Sequence, residues 1–251
     1  MYADINGLKM YYEIHGTGDP VVLLHGAMSA TGTSFGPLVE ALARTRRVIA
    51  VEQQGHGRTA DIDRPLSVAQ LADDTLALLA SLGVERADLY GYSLGAGIAL
   101  NIVIRAPTAV RKAVLASLAF DPTGFHPGLL ENIGDPTPAR SPFEQEYLSL
   151  APDPANWPQL VAKLQAMELP EITADTVAAI QTPILLIIGD SDIVVPEHTV
   201  AMFRRLGGGV LGDIAPLAAT QLAILPGTSH TGLPSRTDML MTVIPPFLDA
   251  P

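Results

Sequence analysis

A serine lies between two glycines in the segment Gly91-Tyr92-Ser93-Leu94-Gly95, after a short apolar run and before a helical pattern. Small residues on both sides allow a tight strand-to-helix turn that holds the serine in a strained conformation, with its hydroxyl above the edge of a sheet. The hydroxyl could instead only cap the following helix. Because the segment follows a predicted strand and opens a predicted helix, we interpret Ser93 as a nucleophile.

A serine hydroxyl is a weak nucleophile until a neighbouring imidazole accepts its proton. His230 lies in the loop between the last predicted strand and the last predicted helix, from which it can reach across the ends of the strands. A surface histidine without a chemical role is the alternative. We predict that His230 is the general base. The other histidines lie on a predicted strand, in glycine-flanked turns, in a proline-rich segment and at a helix start: His15, His25, His56, His126 and His198.

A carboxylate is needed to orient the imidazole, and the segment Gly189-Asp190-Ser191-Asp192 supplies two candidates directly after an apolar strand. Asp190 follows the strand immediately and could form a turn by accepting hydrogen bonds from nearby backbone amides. Asp192 lies further into the loop. Both satisfy the chain order serine, acid, histidine, and we favour Asp192 as the acid.

Attack on a carbonyl group places negative charge on its oxygen, and preorganised N–H donors stabilise that charge. Two backbone amides are candidates for this oxyanion hole. Leu94 follows the nucleophile at the positive end of a helix, and Ala27 lies in the turn after the first buried strand. The alternative for the turn at His25-Gly26 is that it only ends the strand.

Short β-branched and apolar runs alternate with longer helical patterns, which predicts a parallel sheet with helices on both of its faces. The first predicted strand, Lys9 to His15, is expected to be antiparallel to the others. The further predicted strands are Val21 to Leu24, Val48 to Val51, Ala87 to Tyr90, Val110 to Ala116, Ile184 to Ile188 and Leu222 to Leu225, and the predicted helices cover residues 37–44, 68–82, 94–105, 198–206 and 236–248.

The alternation is interrupted between residues 119 and 181, where prolines are frequent and helical patterns are short. An insert of this length in a compact domain is uncommon unless it serves the function. We therefore predict a core formed by residues 1–118 and 182–251, and a small cap, residues 119–181, over the site. Its apolar residues should mainly pack against one another and the sheet: Leu129, Leu130, Phe143, Leu148, Leu150, Trp157, Leu160, Leu164 and Met167.

The composition argues against several classes of binding partner and catalytic group. Of the 251 residues 48% are hydrophobic, enough for one large core, and the formal net charge of −11 argues against binding nucleic acid or anionic membranes. The absence of cysteine excludes thiolate nucleophiles and cysteine-ligated zinc. With no long apolar stretch and no signal-peptide pattern, we predict a cytoplasmic protein. We expect it to bind a small-molecule substrate without a cofactor or metal, as a monomer or a homodimer.

These segments resemble the α/β-hydrolase superfamily over nearly the whole chain. His25-Gly26, Gly55-His56-Gly57, the serine turn, the Asp192 loop and the His230 loop occur in the family's order. The resemblance implies an α/β-hydrolase fold with a mostly parallel eight-stranded sheet, helices on both faces and a small inserted helical cap. In that family the acid usually occupies the aspartate of a Gly-x-x-Asp-x-x-x-Pro stretch, which is Asp192 here.

Two departures from the family pattern limit what the resemblance implies about substrates. The turn at residues 52–59 lacks the Asp and Arg that many members carry early in that turn, and the segment 207–220 is longer than the usual link to the last strand. In the second feature the chain is similar to a poorly characterised bacterial branch with glycine-rich inserts.

Three functions follow from the candidate residues. The first is hydrolysis of a small to medium, partly apolar carboxylic ester or lactone through an acyl-enzyme at Ser93. The second uses the same triad for perhydrolysis, haloperoxidase-type chemistry or carbon–carbon bond hydrolysis, and the third is a non-catalytic small-molecule receptor. A serine at this position argues against epoxide hydrolase and haloalkane dehalogenase activity, since related enzymes of those classes use a carboxylate there.

Overall fold

The computed structural model describes residues 1–129, 141–170 and 172–251. Its sheet is built from the strands β1 Tyr2–Ile5, β2 Leu8–His15, β3 Pro20–Leu24, β4 Arg47–Val51, β5 Ala87–Tyr92, β6 Val110–Ala116, β7 Ile184–Ser191 and β8 Gln221–Ser229. They lie in the order β1-β2-β4-β3-β5-β6-β7-β8. The pairs β1–β2 and β2–β4 are antiparallel, and all pairs from β4 to β8 are parallel. The mostly parallel eight-stranded sheet is therefore confirmed.

Helices cover both faces of this sheet, as the apolar runs predicted. Along β3, Val22 and Leu24 pack in one apolar cluster, and Val21 and Leu23 pack in a second cluster on the other face. Strands buried on both faces read as continuous apolar runs because neither side meets water. The helices are α1 Thr31–Phe35, α2 Pro37–Ala43, α3 Val68–Ser81, α4 Leu94–Arg105, α5 Pro142–Leu150, α6 Trp157–Gln165, α7 Ala174–Ala178, α8 Pro196–Arg205 and α9 Thr237–Asp249.

Two elements near the N-terminus were not predicted from the sequence. Strand β1 pairs with β2 through the turn at Asn6 and Gly7, whose φ angles are 49° and 85°. An Asn-Gly pair between two strands is the strongest short hairpin signal, so this strand could have been found. Helix α1 has no such signal, because Thr31–Phe35 contains glycine and four residues of weak helix propensity.

The last strand is longer than predicted. It continues to Ser229 because its pairing with β7 resumes after an irregularity, with Ser191 opposite Ser229. The strand therefore carries the chain directly to His230 at the carboxyl edge of the sheet.

Helices α5, α6 and α7 lie within residues 119–181, the segment predicted as a cap. Leu160 is buried, the rings of Tyr147 and Trp157 lie 5.3 Å apart, and Leu164 and Met167 pack against the core. Trp157, Leu160, Leu164 and Met167 thus pack as expected, whereas Leu130 lies outside the described residues. The limits of the cap as a unit stay a prediction. None of the helices in the described part of the chain is long and apolar enough to cross a bilayer.

Candidate active site

Ser93 occupies the turn between β5 and α4 and has φ 55° and ψ −118°, a conformation that non-glycine residues rarely adopt. The flanking glycines make this turn feasible. A Cβ atom on Gly95 would overlap the carbonyl group of Leu24, and one on Gly91 would overlap the carbonyl group of Gly95. The motif therefore requires glycine because three backbone segments meet here without room for a side chain.

His230 lies between Ser93 and Asp192. Its Nε2 is 3.1 Å from Ser93 Oγ, and its Nδ1 is 2.8 Å from Asp192 Oδ1. Because a carboxylate accepts hydrogen bonds, Nδ1 carries the proton and Nε2 is left to accept the serine proton. The hydroxyl group of Tyr92 donates to the His230 carbonyl at 2.8 Å, and the two rings lie 5.2 Å apart. These contacts fix the imidazole above the nucleophile turn.

The Asp192 side chain is fully buried and accepts three hydrogen bonds within the protein. Its partners are His230 Nδ1, Ser117 Oγ at 2.5 Å and the backbone amide of Val194 at 3.2 Å. Burial alone would raise the pKa of the Asp192 carboxyl, but the interactions with His230, Ser117 and Val194 outweigh it and hold the pKa below its ordinary value. The group is thus kept ionised beside the imidazole.

Ser117 was not recognised from the sequence. It follows β6, has φ 55°, and its amide donates to the Ile187 carbonyl at 2.8 Å, so its position is fixed between β6 and β7. A serine at the end of a strand carries no local pattern that names a partner 75 residues away.

Asp190 lies on the surface and does not contact His230. Its carboxylate accepts hydrogen bonds from the amides of Gly227 at 2.8 Å and Thr228 at 3.1 Å. These backbone donors hold the pKa of Asp190 below its ordinary value. The residue joins the ends of β7 and β8, which corresponds to the turn-forming alternative considered for it.

The turn after β3 lies directly against the nucleophile. A Cβ atom built on Gly26 would lie 3.4 Å from Ser93 Cβ. The Gly26 amide donates to Ser34 Oγ at 3.2 Å, whereas the Ala27 amide has no hydrogen-bond partner among the described residues. Leu94 is the first residue of α4, so its amide has no acceptor within the helix. Both predicted oxyanion donors are therefore free to donate, and they lie in the two turns that border Ser93.

His25 and His56 are fully buried, and their rings lie 5.0 Å apart. His25 Nδ1 bonds to the Gly26 carbonyl at 2.8 Å, and its Nε2 accepts from the Gln53 amide at 3.0 Å. Burial lowers the pKa of His25 to about 3, helped by the nearby His56, and lowers that of His56 to about 4. Both rings are neutral supports of the turns around the site.

Two histidines outside this site have local partners. His15 contacts Glu13, and His198 Nε2 accepts from the amide of Phe120. Within the described ranges, no group of three or more histidine, aspartate and glutamate side chains is arranged to hold a metal ion.

A comparison with known families gives a match over most of the chain. Residues 21–239 match the family described as the alpha/beta hydrolase family. The chain belongs to this family. The family match includes Ser93, Asp192 and His230.

Individual members of the alpha/beta hydrolase family resemble the chain in different ways. It is 33% identical over 110 residues to "Putative carbamate hydrolase RutD" of Rhizobium rhizogenes, a match that spans 42% of each protein, less than half of that relative's length. A meta-cleavage product hydrolase of Pseudomonas fluorescens has a similar structure, with a TM-score of 0.77, 20% identity and coverage of 99% of this chain and 97% of that one. The enol-lactonase of Burkholderia xenovorans superposes with a TM-score of 0.72, 19% identity and full coverage of both chains.

Proposed function

We propose that the protein is a serine hydrolase that cleaves a small to medium carboxylic ester or lactone through an acyl-enzyme. The observation that supports this proposal most strongly is the continuous hydrogen-bonded line from Ser93 Oγ through both His230 nitrogens to the buried Asp192 carboxylate. Such a line lets a hydroxyl lose its proton as it attacks a carbonyl carbon.

In the first half of the reaction, Ser93 Oγ attacks the carbonyl carbon while its proton passes to His230 Nε2. The imidazolium is stabilised by Asp192, and the oxyanion accepts hydrogen bonds from the amides of Ala27 and Leu94. The tetrahedral intermediate then collapses, and the departing alkoxide takes the proton from Nε2. An ester releases an alcohol, whereas the hydroxyl group of an opened lactone stays attached to the acyl group.

In the second half, His230 Nε2 removes a proton from water as the water oxygen attacks the acyl carbon. Collapse of this intermediate releases the carboxylic acid and returns the proton to Ser93 Oγ. The residues involved are the same in both halves, so a single imidazole serves as base and then as acid twice.

We further propose that the segment 119–181 acts as a cap over the site, and that the only partner the reaction requires is the substrate. The apolar packing of Leu160, Trp157 and Met167 supports a cap with an apolar inner side. A partly apolar acyl group suits such a surface because its burial removes apolar area from water.

A panel of p-nitrophenyl esters of increasing acyl length, together with aliphatic lactones, tests the reaction and the substrate size. We expect turnover that is greatest for short to medium neutral acyl groups and absent in Ser93→Ala. A preference for charged acyl groups would contradict the proposed substrate class, and turnover by Ser93→Ala would contradict the nucleophile.

Carbamate hydrolysis is the second candidate, favoured by the 33% identity to the protein named as a carbamate hydrolase. The same triad could cleave a carbamate, because its carbonyl group also forms an oxyanion when attacked. Matched pairs of an ester and a carbamate with the same leaving group separate the two: a larger kcat/KM for the carbamate would favour this candidate. Adding hydrogen peroxide to the ester assay and measuring the peracid formed tests perhydrolysis, and a vinylogous 1,5-diketone tests carbon–carbon bond cleavage. A folded protein that binds these compounds without turnover would favour a receptor.

A further inference from the structure

Helix α1 has no capping side chain at the residue before it, although the Thr33 hydroxyl reaches back to the Ala30 amide at 3.3 Å. The residue before it, Ala30, is extended, with φ −127° and ψ −169°, and has no side-chain acceptor for the free amides of the first turn. Helices normally fill this position with serine, threonine, aspartate or asparagine. The acceptor must therefore come from elsewhere.

It comes from α5, more than 110 residues further along the chain. Glu146 Oε2 accepts from the Ala30 amide at 2.9 Å, and Oε1 accepts from the Thr33 amide at 2.8 Å. The Thr33 hydroxyl also donates to Oε2. A Cβ atom on Gly32 would lie only 2.6 Å from Oε1, so the glycine leaves the space that the carboxylate occupies. Both oxygens of Glu146 are thus used in capping α1.

Helix α1 also holds the Gly26 turn, which lies beside the nucleophile. Ser34 Oγ accepts from the Gly26 amide at 3.2 Å and lies 2.6 Å from Ser29 Oγ, which donates to the Gly26 carbonyl at 2.8 Å. The three bonds close a ring if Ser34 donates to Ser29. This ring fixes both polar groups of Gly26 and leaves the next amide, that of Ala27, unpaired near Ser93.

We propose that Glu146 is a positioning residue for the reaction: by capping α1 across the chain, it holds the Gly26 turn so that the Ala27 amide faces the oxyanion. The inference rests on the proposed hydrolase function. The position of the Ala27 amide then depends on the position of α5, because the Gly26 turn loses its support when Glu146 moves away from α1.

A simpler role for Glu146 would be to anchor the cap. Lys163 of α6 provides the comparison, because its Nζ donates to the carbonyl groups of Ile62 and Arg64 at 2.7 and 2.9 Å, away from the Gly26 turn. Loss of Lys163 removes an anchor of the same segment without touching α1. Glu144, on the same helix as Glu146 and with the same charge, has no such contacts and is the matched control.

The test compares kcat and KM for the best ester of the panel in Glu146→Ala, Glu146→Gln, Glu144→Gln and Lys163→Met. We expect Glu146→Ala to lower kcat about tenfold or more with KM changed less than about threefold, because a displaced oxyanion donor weakens transition-state binding alone. Glu146→Gln keeps one acceptor oxygen and should lose less kcat. It replaces the alanine variant in the test if that variant does not fold. Lys163→Met should mainly raise KM, and Glu144→Gln should match the wild type.

A second-site change separates capping from anchoring. Ala30→Ser supplies a local cap to α1, so adding it to Glu146→Ala should restore most of the lost kcat although α5 stays unattached. Equal kcat in Glu146→Ala and Glu144→Gln, the same loss in Lys163→Met, or no rescue by Ala30→Ser would overturn the proposal.

Amide hydrogen exchange in residues 26–34 gives a readout that does not depend on catalysis. Exchange there should be faster in Glu146→Ala than in the wild type and unchanged in Lys163→Met. If the wild type turned over none of the esters, the proposed function would fail while this exchange result still decided the positioning role. If the wild type hydrolyses an ester and Glu146→Ala still exchanges these amides at the wild-type rate, the positioning role alone is refuted.

Discussion

Asp190 and Asp192 lie two positions apart at the end of β7, yet their surroundings differ completely. Asp192 is buried against His230 and Ser117, whereas Asp190 is exposed and bonded to the backbone of β8. Asp192→Asn should lower kcat by about 10⁴, because the amide no longer stabilises the correct tautomer and the imidazolium. Asp190→Asn should retain turnover within a few fold. Steady-state kinetics of the two variants checks this, and the reverse pattern would exchange their roles.

Ser117 supports the acid through the bond to the second carboxylate oxygen. A hydrogen bond to a charged group contributes about 1.5–3 kcal/mol, so Ser117→Ala should lower kcat about tenfold with little change in KM. Thermal unfolding of the same sample controls for damage to the fold. Unchanged kcat in a stable variant would show that the bond has no part in the reaction.

The residues with motifs could be predicted from sequence, and those without could not. Ser93, Asp192 and His230 each lie in a recognisable turn at a strand end. Ser117 and Glu146 act through partners that only the folded chain brings near, so their types and neighbours in sequence gave no signal.

At the scale of elements, the turn between β5 and α4 depends on the close approach of backbone to backbone at Gly95. Gly95→Ala would force a Cβ into the Leu24 carbonyl, and we expect it to lower the free energy of unfolding by about 3 kcal/mol or more. Two residues further along the same helix, Gly97 has no atom within 4 Å of a built Cβ.

Gly97→Ala is therefore the matched variant, expected to raise the free energy of unfolding by about 0.5–1 kcal/mol because alanine favours helix. Urea denaturation of both variants measures the difference. Equal stability of the two would mean that the backbone contact at Gly95 is not what selects glycine in the motif.

The elements themselves followed from apolar patterning wherever burial was complete. Strands β3 to β7 lie close to their predicted bounds because strands buried on both faces give continuous apolar runs. Helix α1 was not predicted because its stability comes from Glu146 and from packing rather than from helix propensity.

At the scale of the molecule, the two buried histidines make folding sensitive to acid. Their pKa values of about 3 and about 4 in the folded state lie below the ordinary 6.5, so the unfolded chain binds more protons as the pH falls below 6.5. Their contribution to the free energy of unfolding is therefore complete well above pH 6.5 and is lost as the pH falls from about 6.5 to about 3. Each histidine contributes a slope approaching about 1.4 kcal/mol per pH unit.

His56→Asn should reduce that slope by about 1 kcal/mol per pH unit between pH 6 and 5, as measured by denaturation at several pH values. His126→Asn, at an exposed position, is the control for the substitution itself. An undiminished slope in His56→Asn would mean that this ring is not held neutral by burial.

The proposed reaction depends on the convergence of three segments, from the ends of β5, β7 and β8, on one proton-transfer line. Labelling with a fluorophosphonate probe, followed by mass spectrometry of the digested protein, tests it most directly. We predict one adduct, on Ser93, that is absent in Ser93→Ala and forms at least about 100-fold more slowly in His230→Ala. A folded wild-type protein that stays unlabelled, or that labels at the same rate without His230, would contradict the account.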